Sequence, residues 1–294
     1  MMKITLIGSL GHINRYTIPA LVAQGHDVTV ITSSQDRVAE IEALGAQAAV
    51  GSIFDVAFLT KAFTSADAVY LMVTAFLGEE TAYDAATKLA TIYKQALANA
   101  QVKRIVNLSS IGADQGDEVG VLHIYNIIEG ILATLPDVTI TNVRAVGFFS
   151  NMYGNLATIK AQHAIVHNYA DTVETGWTDP KDISAAIVTA LNDPQPTNGV
   201  HYVISQWLTG QEIVAAFADA LNIPDLHWVQ ISDDQLRAGM LQSGASEDAA
   251  QGFTLMGAAQ RNEAFYADLR KAAPVLGTVK LTDILPGLVA AYQK

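Results

Sequence analysis

The chain has 294 residues, half of them apolar, enough to bury a large core as a major domain carrying a smaller one. It has no cysteine, which excludes disulfides, thiolate zinc sites and a cysteine nucleophile, and its seven histidines show no metal-ligand spacing of the H-E-x-x-H kind, so no metal is expected. With 17 basic against 29 acidic residues the formal charge is −12, a field that repels nucleic acid, and no direct nucleic-acid binding is expected.

Residues 3–14 read Lys-Ile-Thr-Leu-Ile-Gly-Ser-Leu-Gly-His-Ile-Asn, an apolar strand running straight into a glycine-spaced turn. A buried parallel strand that reverses into a helix within a few residues leaves backbone N–H groups free to face a pyrophosphate at the helix N-terminus. Gly8 and Gly11 supply the room for that approach. The spacing is Gly8-x-x-Gly11-x-x-Asn14, not G-x-G-x-x-G, so a glycine-containing loop after an ordinary strand is the competing reading. An anionic dinucleotide held against the net charge needs local help, from loop amides, a helix dipole and an arginine such as Arg15 or Arg37.

Periodicity predicts helix over 13–23, closed by Gly25-His26-Asp27, then strand 28–31, helix 34–44, strand 46–50, helix 56–63 and strand 68–73. A long helix near 81–100, strand 104–108, helix 119–135 and strand 138–143 follow. Such alternation predicts an α/β fold, a doubly wound parallel Rossmann-like sheet of six strands. After Gly147 the alternation fades into a loop-rich stretch, then helix 182–191, strand 200–204, helices 211–221, 233–242 and 247–260, strand 228–231 and helix 282–292. This predicts a smaller, mostly helical α/β C-terminal domain. The expected division is 1–147, binding NAD(P), and 148–294, a substrate cap, with some segments returning to the Rossmann sheet. The longest apolar run, 68–77, is short of a membrane span and broken by Thr74. With no basic-then-apolar leader, the expectation is a cytoplasmic protein with no membrane partner.

Several short stretches, in this order and spacing, resemble the atypical short-chain dehydrogenase/reductase proteins of the NmrA-like type over essentially the whole chain. They are Gly8-Ser9-Leu10-Gly11-His12-Ile13, Gly51-Ser52, Asp67-Ala68-Val69-Tyr70-Leu71, Ser109-Ser110-Ile111-Gly112-Ala113, His123-x-x-Asn126-x-x-Glu129, Arg144-x-x-x-Phe148-x-x-Asn151 and Asp182-Ile183-Ser184-Ala185-Ala186. That group includes quinone-reductase-like enzymes and redox-sensing regulators. The resemblance implies an NAD(P)H-dependent oxidoreductase reducing a quinone-like or small carbonyl acceptor, with a non-catalytic NAD(P)(H) sensor acting through a protein partner as the alternative. Cofactor contacts are implied at Gly8, Leu10, Gly11, His12, Ile13, Thr32, Ser33, Ser34, Arg37, Ser52, Ile53, Val73, Thr74, Ser109, Asn126, Gly147 and Phe148. The substrate is expected to be a small molecule, planar if the aromatic group at Phe148, Phe149, Met152 and Tyr153 lines its pocket; those residues read equally as core. A homodimer stays open.

Catalytic relatives carry Tyr-x-x-x-Lys after the fifth strand; aligned on Glu129, those places hold Leu122 and Asn126. The remaining catalytic candidates are Tyr125, Asn126 and His123, although Glu129 four residues beyond Tyr125 would raise a phenol pKa. His12 reads as a phosphate or nicotinamide contact or as an exposed loop residue, and His123 reads better as packing. Cofactor choice is read after the second strand, where Thr32-Ser33-Ser34-Gln35-Asp36-Arg37 favours NADP (NADPH) through its hydroxyls and arginine, while an inward Asp36 would select NAD. Ser33 or Ser34 also suits a helix cap, and both roles can coexist.

Overall fold

The computed structural model describes residues 1–74 and 81–294, so residues 75–77 of the 68–77 apolar run lie outside the described residues. The chain forms two compact units, each assembled from three stretches. The first comprises Met1–Ala113, Ile124–Arg144 and Ile183–His201, and the second Asp114–His123, Ala145–Asp182 and Tyr202–Lys294.

The first unit alternates strands and helices: β1 (Lys3–Leu6), α1 (Asn14–Ala23), β2 (Asp27–Thr32), α2 (Val38–Ala43), β3 (Gln47–Val50), α3 (Val56–Phe63), β4 (Ala68–Leu71), α4 (Ala82–Asn99), β5 (Arg104–Ser110), α5 (His123–Leu132) and β6 (Thr139–Ala145). Among the described residues the central sheet has seven strands in the order β10-β6-β5-β4-β1-β2-β3, where β10 is Gly199–Val203. The sequence reading anticipated six; the seventh is its 200–204 strand, returned to the sheet edge. Pairing is parallel between β1 and β2, β1 and β4, β2 and β3, and β4 and β5. Strand order reverses between β1 and β4, and open parallel sheets hold ligands in the crevice beyond the strand ends at such a reversal.

Central strands buried on both faces must be continuously apolar. All four residues of β4 are buried, as are Ile4, Thr5, Leu6 and Ile7. On α4, buried Ala85, Ala86, Leu89, Ala90, Tyr93, Ala96 and Leu97 recur at helical spacing, and all of them except Ala85 join Phe63, Val69, Leu71, Ile105 and Ile128 in one apolar cluster.

Two helices depart from the sequence reading. The span 34–44 opens as a 3₁₀ turn, Gln35–Arg37, before α2. The span 119–135 is a 3₁₀ segment, Asp117–Leu122, followed by α5, because Gly120 adopts φ +59 and breaks the helical path. A side chain at Gly120 would run into the Gly252 carbonyl, so this glycine permits a close backbone crossing within the second unit.

The second unit holds a sheet of β7 (Gly147–Phe148), β9 (Glu174–Thr178) and β11 (Gln206–Thr209) and a parallel pair of β8 (Ala164–His167) with β12 (His227–Gln230). Its helices are α6 (Leu156–Gln162), α8 (Gly210–Leu221), α9 (Asp233–Gln242), α10 (Glu247–Ala259), α11 (Ala267–Ala272) and α12 (Leu281–Tyr292), while α7 (Pro180–Asn192) begins in this unit and continues in the first. Phe149, Met152, Ile165, Leu208, Phe217 and Leu288 form its core. Asp182, 8 % exposed, ties the C-terminal segment down: its carboxylate accepts from Ser205 Oγ (2.6 Å), Thr278 N and Oγ1 (both 3.0 Å) and Val279 N (3.1 Å). Burial alone would raise its pKa, but those hydrogen bonds outweigh burial and hold it below the usual carboxylate range. Among the described residues no helix is long and apolar enough to cross a membrane.

Candidate functional site

The turn after β1 has the shape its glycines predict. Gly8 sits at φ +108 and Ser9 at φ +47, Ser9 N donates to Ile31 O (3.1 Å), and Gly11 N donates to Gly8 O (3.0 Å). A Cβ on Gly8 would collide with Met72 Sδ. No side chain caps the start of α1, and the N–H groups of Leu10, His12 and Ile13 bond to nothing among the described residues. These donors and the positive end of the α1 dipole make an anion-binding surface. His12 is exposed there, Ile13 is buried, and Arg15 is exposed with its amide donating to Gly11 O.

Beside the loop lies a cavity of 390 Å³ lined by Gly8, Ser9, Ile31, Thr32, Ser33, Ser34, Arg37, Ser52, Ile53, Phe54 and Thr74, within the range of small-molecule sites. It brings together eight predicted residues: Gly8, Thr32, Ser33, Ser34, Arg37, Ser52, Ile53 and Thr74. The sequence reading does not include Ser9, Ile31 and Phe54 among the cofactor contacts. The signal for Phe54 was its place after Gly51-Ser52-Ile53 at the end of β3, where an apolar ring can flank the crevice.

Among the described residues Arg37 is the one charged residue in the lining. Asp36 is exposed and outside the lining, with its amide donating to Ser34 Oγ (3.3 Å), so Ser34 caps the turn and faces the cavity. Thr32 is positional: its buried Oγ1 accepts from Ser9 Oγ (3.0 Å) and Ser34 N (3.2 Å), joining the loops after β1 and β2. A nest of amides, six hydroxyl side chains (Ser9, Thr32, Ser33, Ser34, Ser52 and Thr74) and one guanidinium, with no carboxylate among the described residues, is a donor set that fits an adenosine carrying a 2′-phosphate better than a bare 2′-hydroxyl.

The remaining candidates fall elsewhere. Val73 is half-buried against the apolar cluster. Ser109 Oγ donates to Glu129 (2.5 Å), and Arg144 donates to the same carboxylate through Nε (3.0 Å) and Nη2 (2.7 Å), a bidentate ion pair with side-chain exposures of 9 % and 12 %. That clamp ties β5, α5 and β6, and it directs the Glu129 charge to Arg144. Asn126 Nδ2 donates to Ala113 O (2.9 Å), holding the turn after β5. Tyr125 packs against the apolar cluster, and burial raises its phenol; the cause is not the Glu129 carboxylate anticipated from i+4 spacing.

In the second unit, His123 Nδ1 lies 3.3 Å from Gln115 O, and Leu122 closes the 3₁₀ segment. Gly147 and Phe148 pair with Trp177 and Thr178. Phe149 and Met152 are fully buried core, so the planar-pocket reading fails for these two, while Tyr153 is half-buried against the same core. His167 stacks at 4.9 Å on both Tyr169 and Trp228, and burial lowers its pKa to about 4, which keeps it neutral near pH 7.

Comparison with known proteins bears on the family and the fold. Residues 8–134 match the NAD(P)H-binding family. No curated protein matches the chain. Among solved structures, an NADPH-dependent quinone oxidoreductase from Escherichia coli, determined with NADPH, aligns with TM-score 0.79 at 17% identity, covering 97% of this chain and 99% of that one. A triphenylmethane reductase from Citrobacter sp. aligns with TM-score 0.79 at 16% identity, covering 98% and 99%. A nucleoside-diphosphate-sugar epimerase from Staphylococcus aureus gives 0.78 at 14%, covering 97% and 99%. At such identities the likeness is one of fold, and both reductases and an epimerase share it. The family match and the fold are consistent with the NmrA-like atypical short-chain dehydrogenase/reductase resemblance drawn from the motifs.

Proposed function

We propose that this protein is an NADPH-dependent oxidoreductase acting on a quinone-like or small carbonyl acceptor. The observation that carries the reading is the cavity at the end of β1 and β2, where Ser33, Ser34 and Arg37 meet the glycine loop and Asp36 stays outside the lining. In this reading Arg37 and the two serines hold the 2′-phosphate, the free amides of Leu10, His12 and Ile13 take the pyrophosphate, and Ile53 and Phe54 flank the adenine. NADPH, when bound, supplies a hydride. The likeness of fold to a quinone oxidoreductase and a triphenylmethane reductase supports that chemistry.

The acceptor class follows from what the chain lacks. Leu122 and Asn126 stand where relatives place a proton-donating Tyr and its Lys, Asn126 is tied to Ala113, and Tyr125 packs against the apolar cluster, where burial makes its phenol a weaker acid. Reducing an isolated carbonyl leaves an alkoxide that demands a nearby acid, whereas a quinone delocalises the new charge over its ring and takes its proton from water. Quinone-like acceptors are therefore favoured over simple ketones.

The test is a fluorescence titration with NADPH, followed in the same cuvette by a panel of quinones and small carbonyls, read at the reduced-nicotinamide band. Oxidation with quinones and slower or no oxidation with ketones supports the reading; binding with no oxidation by any acceptor overturns the enzyme. A second reading, a dinucleotide sensor acting through a protein partner, is favoured by the same missing Tyr and Lys. It requires NADPH and NADP⁺ to differ in affinity or in the conformation they stabilise, and equal behaviour of the two refutes it.

A further inference from the structure

Asn14 stands where the glycine motif would place its third glycine, and what it does there is visible. Its side chain is fully buried at the first position of α1, 1 % exposed, and Nδ2 donates to both Ile7 O and Ser9 O, each at 3.0 Å. Those two carbonyls bracket Gly8 at φ +108 and Ser9 at φ +47. Ser9 is the strained member, because a left-handed backbone is unfavourable for any residue with a Cβ and persists only where its surroundings over-determine it. The surroundings here are two hydrogen bonds from Asn14, the Ser9 N bond to Ile31 O and the Ser9 Oγ bond to Thr32. A glycine at position 14 offers no donor, so the Ile7 and Ser9 carbonyls would lose these partners.

We infer that Asn14 is a positioning residue that presets the phosphate loop, holding the Gly8–Ser9 turn in its anion-ready shape before any ligand arrives. The part of this inference that concerns cofactor affinity rests on the proposed NADPH site; the part that concerns loop order does not. Pre-organisation improves affinity by removing the ordering cost that a mobile loop meets on binding. The consequence runs against the motif: Asn14→Gly completes the glycine fingerprint and yet weakens NADPH binding. The second amide atom, Oδ1, is buried with no hydrogen-bond partner among the described residues, which marks Asn14 as kept for its donors at the expense of its acceptor.

The experiment compares the full-length chain with Asn14→Gly and Asn14→Ala. Hydrogen exchange is followed over residues 8–13 without ligand, and NADPH affinity is measured by calorimetry. Circular dichroism checks the fold, and alanine, the better helix former at the start of α1, serves if the glycine variant does not fold. The expected result is faster exchange at the Ser9 and Gly11 amides, with other peptides of the first unit unchanged, and an affinity loss of about tenfold or more. Exchange that stays as in the parent overturns the preset loop whether or not NADPH binds. Unchanged affinity in variants whose loop has loosened overturns its consequence for binding. A uniform rise in exchange across the unit makes Asn14 a packing residue only, and failure of the parent chain itself to bind NADPH refutes the site, not the loop.

Discussion

Replacing Glu129 by alanine removes the acceptor for three hydrogen bonds at once, from Ser109 Oγ and from Arg144 Nε and Nη2. The pair is close to fully buried, with side-chain exposures of 9 % for Arg144 and 12 % for Glu129, so the lost carboxylate is not replaced by bulk water. Removing one partner of a buried ion pair costs about 3–5 kcal/mol, because the remaining charge keeps its burial and loses the attraction that offset it. For a domain of this size, with about 2–4 °C per kcal/mol, the melting temperature should fall by roughly 6–20 °C. A double variant, Glu129→Met with Arg144→Met, removes both charges together, and apolar replacement of a whole buried pair is often close to neutral. Urea unfolding followed by circular dichroism should therefore show the double variant losing less than half the sum of the two single methionine variants. A Glu129→Ala variant within about 1 kcal/mol of the parent, or single variants whose costs simply add, would show that the pair is not a buried clamp.

Other consequences can be measured in parallel. Asp182→Asn keeps the shape but leaves one of the two oxygens that Ser205, Thr278 and Val279 use, and should cost about 1–3 kcal/mol. The Asp182 pKa is depressed in the folded state, so its contribution to stability is complete above the unfolded value of ~3.9 and is lost as pH falls through the lower folded value. Unfolding midpoints between pH 6 and 3 should accordingly decline more steeply in the parent than in Asp182→Asn; parallel declines would count against the assignment. Tyr125→Phe should leave quinone reduction unchanged within about twofold, since the phenol packs in the core, and a kcat loss beyond tenfold would make Tyr125 a proton donor after all.

The doubly wound sheet was legible because its elements are long and strongly periodic, as on α4, where buried residues repeat from Ala85 to Leu97. The cofactor loop was legible for a different reason: a tight strand-to-helix reversal needs glycine at Gly8, and few residue types tolerate φ +108. The break at Gly120 was hidden because its cause is a crossing with Gly252, over a hundred residues away in sequence. The strands β7 to β9 are two to five residues long, too short for alternation to rise above noise, and they fell in what read as loop. Of the site, Ser33, Ser34 and Arg37 could be found from their place after β2 and Phe54 from its place after β3, whereas Ser9 and Ile31 enter the cavity through three-dimensional convergence. The motif residues Asn126 and Glu129 showed that something was fixed on one helix face. Their partners Ala113, Ser109 and Arg144 come from neighbouring elements, which spacing within one helix cannot reveal.

Calorimetric titration of the parent and Arg37→Ala with NADPH and NADH shows whether the Arg37 cavity receives the 2′-phosphate of NADPH. A charge-assisted hydrogen bond contributes about 1.5–3 kcal/mol, so NADPH should bind the parent at least ~10-fold tighter than NADH, and Arg37→Ala should remove most of that preference while leaving NADH affinity within about twofold. Equal or tighter binding of NADH to the parent, with no change in either affinity on removing Arg37, would contradict that placement.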